Sequence, residues 1–325
     1  MMSNPLSEMI IRLRKASQVA LFSHVSPDGD CIGSILALGL GLEKLNKQVY
    51  YFNSDPIPAN LAFLPGVGKI RNVLPVNWPE ALIFVDCTDI DRVHISNEDL
   101  PANSILLNLD HHISNCNFGH VNWIDSQASA CGEMVFYLLK EMGAGIDKDI
   151  ATNLYAAIVT DSGSFQYSNT TSKTHRIAAE LIEQEINLVN IHSHLFDQKP
   201  LAYIKLLQRA LARLQFFSDG KIALITLSKQ DFLECGAGDE LSEGIINHAR
   251  SIEGVEVAIL IRELDILDIK VVFRSNLWFN CDEVAVKLHG GGHKKAAGCS
   301  LKLSFAEAQR LVLKTVQEVL VERGN

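Results

Sequence analysis

The chain has 325 residues, of which 47% are hydrophobic and 21% are charged, and its formal net charge is −9. This length suits two domains, and the composition is that of a globular protein rather than a disordered one. The negative charge argues against a protein that coats long duplex nucleic acid, because that mode of binding needs many basic contacts to phosphates.

The seven cysteines are scattered along the chain and include no CxxC pair, which favours a reducing compartment over a disulfide framework. The N-terminus lacks the basic and apolar pattern of a signal peptide, and no apolar run reaches the length of a membrane span. We therefore expect a cytoplasmic protein that does not bind membranes.

The first elements in the chain have the pattern of a β-α-β unit. An amphipathic helix is predicted over residues 6–16, a buried strand over 19–23, a helix over 30–45 and a second strand over 49–52. Two strands joined by such a helix form a parallel sheet with a right-handed crossover.

The loop between the first strand and its helix carries three residues of metal-binding type, His24, Asp28 and Asp30. Their carboxylate oxygens and imidazole nitrogen suit one or two small divalent cations. The alternative is a solvated turn in which Asp30 serves as the N-cap of the helix, a position that Asp favours.

Two further apolar strands, predicted over 82–85 and 105–109, also end in polar residues. Asp86 follows the strand predicted over 82–85, and the segment Asp110–His112 follows the strand predicted over 105–109. Open α/β sheets place their sites at the carboxyl ends of strands, so these side chains and the N-terminal loop are expected to meet.

The other predicted elements divide the chain into two domains. Helices are predicted over 128–142, 148–160, 173–185, 241–251 and 305–321, and strands over 222–227, 255–262 and 267–273. Residues 55–78 are predicted to be loops around one short helix. We therefore predict an α/β protein with a parallel-sheet domain and flanking helices over 1–190, a helical connector over 191–210 and a smaller α/β domain over 211–325.

Candidate metal ligands in the first domain share a position at the end of a strand or helix: His24, Asp28, Asp30, Asp86, His111 and Asp161. If the fold brings them together, Asp86 on the middle strand is placed to bridge two ions. Two cations roughly 3.5–4 Å apart can hold an attacking hydroxide and the phosphoryl oxygens, which suggests phosphoester hydrolysis. This oxygen-rich set favours two Mn²⁺ ions, with Mg²⁺ or Co²⁺ able to substitute, whereas structural zinc would want cysteine.

The adjacent residues His111 and His112 are expected to have different roles. Successive side chains at a strand end point in opposite directions, so one imidazole can bind a metal while the other faces the substrate. Asp110 can hydrogen-bond an imidazole and fix its tautomer.

A glycine-rich segment in the second domain is a candidate anion site. Gly290, Gly291 and Gly292 can turn their amides inward to form a concavity, and the residues after them can begin a helix. His293 adds positive charge, and the guanidinium of Arg274 can grip a terminal phosphate. A tight loop without a ligand is the alternative, because three glycines alone are weak evidence.

These motifs resemble those of the DHH phosphoesterase superfamily. HVSPDGD, the strand that ends in Asp86, LDHH and TDSGSF resemble its four metal-binding motifs, and GGGHKKAAG resembles the signature of the DHHA1 substrate-binding domain. The resemblance covers nearly the whole chain and is strongest to the nanoRNase and pAp-phosphatase branch. It implies an active site in the cleft between a DHH domain and a DHHA1 domain.

The resemblance also implies roles for individual residues. The first metal would be held by His24, Asp28 and Asp86, and the second by Asp30, Asp86, His111 and Asp161. His112 would approach the phosphate and help to protonate the leaving group, with Asp110 in support. The substrate end distant from the metals would be bound by Arg274, Ser275, Gly290, Gly291, Gly292 and His293.

Substrates of this branch are oligoribonucleotides of two to five nucleotides and 3′-phosphoadenosine 5′-phosphate (pAp), and a homodimer would suit the fold. One departure concerns Leu288 and His289, where the family often has an aromatic residue and a fourth glycine. Three alternatives stay open. They are a soluble phosphodiesterase for cyclic or linear dinucleotides, a family II inorganic pyrophosphatase, which has a different second domain, and a non-catalytic nucleotide-binding protein.

Overall fold

The computed structural model describes residues 4–75, 77–95 and 100–323, with the side chains of Glu322 and Arg323 left aside. The chain folds into two units, Met1–Gln198 and Lys199–Asn325. This boundary lies inside the segment that we predicted to be a connector.

The first unit is built on a six-stranded sheet in which every pair of neighbouring strands is parallel, in the order β3-β2-β1-β4-β5-β6. The strands are Gln18–Ser23 (β1), Gln48–Phe52 (β2), Ile70–Arg71 (β3), Ala81–Val85 (β4), Ile105–Asp110 (β5) and Val121–Ile124 (β6). The predicted parallel sheet is therefore confirmed. Strand β6 was not predicted, because it is short, carries a polar residue and lies at the edge of the sheet.

The α-helices pack on one face of this sheet, and the apolar cluster on the other face is covered by loops and the 3₁₀ turn Ile90–Val93. The α-helices are Pro5–Lys15 (α1), Gly29–Lys44 (α2), Cys131–Met142 (α3), Lys148–Asp161 (α4), Ser172–Ile182 (α5) and Leu188–His192 (α6). A π-helix, Ser193–Asp197, follows α6, and 3₁₀ turns occupy Ala59–Leu61, Val67–Lys69 and Ile90–Val93. The central strand β4 is buried at all five residues, as an unbroken apolar strand covered on both faces should be.

The second unit contains a mixed six-stranded sheet in the order β11-β12-β10-β9-β8-β7, in which only β8 and β9 run parallel among the described strands. Its strands are Gln215–Phe217 (β7), Ile222–Leu227 (β8), Val257–Asp265 (β9), Asp268–Ser275 (β10), Gly291–His293 (β11) and Ala296–Leu301 (β12). Its helices are Leu201–Ala212 (α7), Lys229–Cys235 (α8), Ile245–Arg250 (α9), Cys281–Lys287 (α10) and Phe305–Arg323 (α11). The α/β character of both units confirms the predicted fold class.

Among the described residues, no helix combines the length and the apolar character needed to cross a membrane.

Candidate active site

The loop after β1 places His24 and Asp28 side by side. Asp28 is the N-cap of α2, because its Oδ1 accepts a hydrogen bond from the Cys31 amide at 3.0 Å. The other carboxylate oxygen of Asp28 lies 3.8 Å from Nε2 of His24. The sequence alternative that made Asp30 the cap is therefore wrong, since the cap lies two residues earlier.

Asp30 lies in the first turn of α2 and is 1% exposed. Its carboxylate accepts hydrogen bonds from the amides of Cys131 at 2.6 Å and Gly132 at 2.9 Å, and from the Ser34 hydroxyl at 3.0 Å. A buried carboxylate at the N-terminus of α3 is stabilised by these amides and by the helix dipole. Asp30 thus joins α2 to α3 and keeps its oxygens at the edge of the carboxylate cluster.

Asp86 follows the central strand β4 and stands between two imidazoles. Its Oδ2 lies 3.4 Å from Nε2 of His24, and its Oδ1 lies 3.7 Å from Nε2 of His111. The residue has a left-handed φ of 60°, and backbone strain of this kind is often found at functional positions. Among the described residues, Asp86 is therefore the one carboxylate that lies within 4.0 Å of both His24 and His111.

His111 faces three carboxylates. Besides Asp86, its Nε2 lies 3.9 Å from Oδ2 of Asp30 and 3.6 Å from Oδ2 of Asp161, the last residue of α4. The opposite ring nitrogen contacts the carbonyl oxygen of Ala128 at 3.2 Å. A hydrogen bond from Nδ1 to that carbonyl leaves Nε2 as a lone-pair donor directed at the carboxylates.

The donor set fits divalent cations. These five contacts between imidazole and carboxylate atoms span 3.4 to 3.9 Å, which is longer than ordinary hydrogen bonds. Ligands of an octahedral cation at about 2.1 Å lie roughly 3.0 Å apart when adjacent and roughly 4.2 Å apart when opposite. The observed spacings do not exceed the larger value, so the two atoms of each pair are close enough to bind one ion.

The pKa shifts of the carboxyl groups reflect their crowding. Burial raises the pKa of Asp30 well above its usual range, and the charges of Asp86 and Asp161 raise it further. Burial likewise raises the pKa of Asp161 to about 6. Burial also opposes ionisation of Asp86, but the interaction with His24 and the nearby imidazole charges lower its pKa to about 2. Cations stabilise carboxylates that repel one another in a buried cluster. The pKa shifts and the distances between the donor atoms therefore both favour bound cations at this site.

A second set of contacts orients His112. Oδ1 of the buried Asp110 accepts a hydrogen bond from Nδ1 of His112 at 2.8 Å, and this bond raises the pKa of His112 to about 9. Oδ2 of Asp110 accepts from the Asn115 amide at 2.6 Å. The same amide contacts Oδ1 of Asn108, which fixes its orientation. The His112 ring is therefore held through Nδ1, and its Nε2 is left for a substrate.

The sequence argument missed Asn115 and Cys131. Asn115 lies four residues after His111, and a buried Asp110 with two oxygens needs more donors than one imidazole supplies, which could have indicated it. Cys131 lies at the start of α3 with its thiol 3.6 Å from Oδ1 of Asp86. No sequence signal marks Cys131, because the contact joins residues 45 positions apart.

In the second unit, Arg274 and His293 are in register across three neighbouring strands. Arg274 on β10 pairs with Ala296 on β12, and Ala296 pairs with His293 on β11. Residues that are directly paired in neighbouring strands point to the same face. Two basic side chains therefore share one face of the sheet with a small alanine between them, and His293 is exposed.

The turn after Arg274 is held by a buried carboxylate that the sequence argument did not identify. Glu256, 5% exposed, accepts hydrogen bonds from the amides of Leu277, Trp278 and Phe279, the latter two at 2.7 Å. The Ser275 hydroxyl donates to the Phe279 carbonyl at 2.8 Å across the same turn. Ser275 is therefore engaged in holding the turn.

We expect Glu256→Ala to loosen this turn, because three amides lose a charged acceptor and hydrogen bonds to charged groups contribute about 1.5–3 kcal/mol each. Hydrogen exchange followed by mass spectrometry should show faster exchange at residues 277–279. Glu253→Ala, which removes an exposed carboxylate three residues earlier, is the matched control and should leave exchange unchanged. Equal protection in both variants would contradict the role of Glu256.

Two of the three glycines are required by strand packing. A Cβ at Gly290 would lie 2.2 Å from the carbonyl oxygen of Gly298, and one at Gly292 would lie 2.6 Å from that of Ala296. Gly292 also has a φ of 153°, and a Cβ at Gly291 would meet only Asp282, at 4.0 Å. The expectation that a helix begins after these glycines is wrong, because β11 turns into β12 as a hairpin.

Leu288 and His289, which replace the aromatic residue and the fourth glycine of the family pattern, both fit the local structure. Leu288 is buried in the core of the second unit, where an aromatic residue would also be apolar. His289 is exposed and has a left-handed φ of 59°, a conformation that glycine adopts without a steric penalty. His289 therefore occupies the position of the family's fourth glycine and has a backbone conformation that glycine favours.

Comparisons with known proteins relate both units to described families. Residues 18–158 match the DHH family, N-terminal domain, and residues 232–322 match the DHHA1 domain. The chain is 33% identical over 308 residues to the bifunctional oligoribonuclease and PAP phosphatase NrnA of Thermus thermophilus, a match that covers 94% of this chain and 91% of that protein.

Two further comparisons bear on the structure and on metals. The crystal structure of an exopolyphosphatase-related protein from Bacteroides fragilis matches with a TM-score of 0.90 and 26% identity, covering 97% of this chain and 96% of that one. The probable manganese-dependent inorganic pyrophosphatase of Bacillus licheniformis is 28% identical over 172 residues, which is 51% of this chain and 54% of that protein.

Proposed function

The chain belongs to the DHH family, and from that membership we propose that it is a metal-dependent phosphoesterase. Its substrates are short oligoribonucleotides of two to five nucleotides, which it hydrolyses to mononucleotides, and pAp, which it hydrolyses to AMP and phosphate. The relative from Thermus thermophilus is named for both activities and is matched over nearly its full length. A cytoplasmic location and a homodimer are parts of the same proposal.

The observation that carries the proposal is the position of Asp86 between His24 and His111. One carboxylate with an imidazole within 4 Å of each of its two oxygens would suit a shared ligand of two cations. A nucleotide-binding protein without catalytic activity would have no need for such a costly assembly of buried carboxylates.

We propose that two Mn²⁺ ions bind here, with Mg²⁺ or Co²⁺ able to replace them. One would be held by His24, Asp28 and Asp86, and the other by Asp30, Asp86, His111 and Asp161. Bound cations of this kind supply an activated hydroxide and neutralise charge on the phosphoryl oxygens. The oxygen-rich donor set and the manganese-dependent relative support this choice of metal.

The proton chemistry falls to His112. Asp110 accepts the hydrogen bond from Nδ1, so the imidazole is held in one orientation and its Nε2 can give a proton to the leaving oxygen. Asn115 keeps Asp110 in place through the second carboxylate oxygen. A positioned acid of this kind is needed because the leaving group of an RNA phosphodiester is a poorly acidic alcohol.

We propose that the face shared by Arg274 and His293 binds the phosphate at the far end of the substrate. The guanidinium offers a planar pair of donors, and Ala296 between the two basic residues leaves room for an anion. Ser275 and the amides of Gly291 and Gly292 complete the proposed contact set. The expected contact from the Gly290 amide is not part of it, because that amide donates a hydrogen bond to the Ala285 carbonyl at 2.7 Å. Recognition of a terminal phosphate would explain a preference for very short substrates.

A rate comparison tests the proposal. Purified protein with Mn²⁺ should release AMP from pAp and mononucleotides from a labelled dinucleotide ApA, and should degrade a ten-mer much more slowly. Turnover of dinucleotides without turnover of pAp would favour a dinucleotide phosphodiesterase. Binding of pAp without turnover, with Mn²⁺ supplied, would favour a nucleotide-binding protein.

We expect Arg274→Ala to weaken substrate capture while the metals stay bound. Loss of charged hydrogen bonds worth about 1.5–3 kcal/mol should raise the KM for pAp by about 10- to 100-fold. Arg274→Lys should recover part of the affinity, because it keeps the charge but loses the planar pair of donors. Unchanged KM with unchanged manganese content would contradict this role.

A further inference from the structure

A cationic side chain outside the predicted set lies next to the carboxylate cluster. Nη2 of Arg92 is 3.4 Å from Nδ1 of His24, and the Arg92 side chain is exposed. Among the described residues, no other lysine or arginine lies within hydrogen-bond distance of any of the eight proposed metal-binding and catalytic residues.

The backbone fixes this neighbourhood. Arg92 lies in the 3₁₀ turn Ile90–Val93, which closes the loop after Asp86, and the carbonyl of Arg92 accepts a hydrogen bond from the Val25 amide at 2.7 Å. Ile90 and Val93 are buried beneath the turn. The turn is thus tied to the loop that carries His24, which fixes the backbone from which the Arg92 side chain extends.

The guanidinium has unused donors at this place. Nδ1 of His24 lies 2.7 Å from the carbonyl oxygen of Val25, so that nitrogen donates its hydrogen and cannot accept one from Arg92. Among the described residues, no carboxylate lies within 4.0 Å of the Arg92 guanidinium. An arginine beside a cluster of aspartates that pairs with none of them is available to a different anion.

The charge balance of the site also calls for another cation. Its five carboxylates are those of Asp28, Asp30, Asp86, Asp110 and Asp161. Two divalent ions and a protonated His112 would balance these five charges, and the substrate phosphate then adds negative charge that they do not offset. A guanidinium suits this task because its paired N–H groups match phosphate oxygens and it stays charged at all relevant pH values.

We propose that Arg92 contacts the phosphate that is hydrolysed, and is a catalytic residue that neither the family resemblance nor the predicted ligand set includes. The inference rests on the proposed function, since it assumes that a phosphate binds at the carboxylate cluster. It adds a contact from the protein itself to the group that would otherwise be held by metals and His112.

Binding of inorganic phosphate, a reaction product, tests this contact without turnover. Isothermal titration of the full chain loaded with Mn²⁺ should show phosphate affinity falling by about 10- to 100-fold in Arg92→Ala. Arg92→Lys should recover part of the loss. Arg176→Ala removes an exposed arginine of the same unit, whose side chain contacts Ser172, and should bind phosphate like the unaltered protein.

Manganese affinity is measured on the same variants by electron paramagnetic resonance. It should be unchanged in Arg92→Ala; a parallel loss of Mn²⁺ would mean that Arg92 positions His24 and would overturn the phosphate contact. Unchanged phosphate affinity in Arg92→Ala, or no phosphate binding by the unaltered protein, would overturn it as well. Phosphate binding that depends on Arg92 in a protein that hydrolyses neither pAp nor ApA would instead reject the proposed function and leave the Arg92 contact standing.

Discussion

Asp86→Ala protein should bind no Mn²⁺ and hydrolyse neither pAp nor ApA. The two oxygens of Asp86 face His24 at 3.4 Å and His111 at 3.7 Å, so one substitution removes a donor from both halves of the cluster. Loss of a single transition-state donor lowers kcat by about 10²- to 10³-fold, and loss of a shared ligand should exceed this range. Metal content after gel filtration and the release of AMP are the two measurements.

Asp91→Ala is the matched control for this variant. Asp91 belongs to the same segment after β4 but its side chain is exposed, so its removal should change neither metal content nor rate. Thermal unfolding should show that Asp86→Ala stays folded, because removing one of several mutually repelling buried carboxylates relieves their repulsion when metal is absent. Near-normal turnover, or retention of half the metal with activity lost, would show that Asp86 does not serve both ions.

The positions of the site residues along the fold could be predicted because strands β1, β4 and β5 are unbroken apolar segments. Such strands are buried on both faces of a parallel sheet, and their carboxyl ends lie along one edge. Polar residues that directly follow them, such as His24 and Asp86, must therefore come close to one another. Local sequence is sufficient for this step.

Contacts between distant segments could not be predicted in the same way. Asp28 and Asp30 are both acceptable N-caps, and the choice between them is made by the amide of Cys131, which lies 101 residues after Asp30. The glycines near residue 291 are compatible with a helix start or a hairpin, and the pairing of Gly291 with Gly298 decides for the hairpin. Buried acceptors such as Glu256 are recognised only when the amides that they bind are known.

His112→Asn should lower kcat by about 10²- to 10⁴-fold while leaving the bound Mn²⁺ in place, the range expected for loss of a general acid. The asparagine amide can still donate to Oδ1 of Asp110, so the hydrogen bond now made by Nδ1 is kept and the distal nitrogen is removed. His111→Asn provides the contrast, since His111 faces Asp30, Asp86 and Asp161 and its loss should release metal.

Substrates with different leaving groups can distinguish proton donation by His112 from its other possible roles. An aryl phosphodiester such as bis(p-nitrophenyl) phosphate expels a phenolate that needs no proton, whereas a dinucleotide expels an alkoxide that does. If His112 acts as the acid, His112→Asn should impair ApA far more than the aryl ester, and the ratio of the two rates should change accordingly. An equal loss on both substrates would mean that His112 stabilises the phosphoryl group instead, and would remove the proton step from the mechanism.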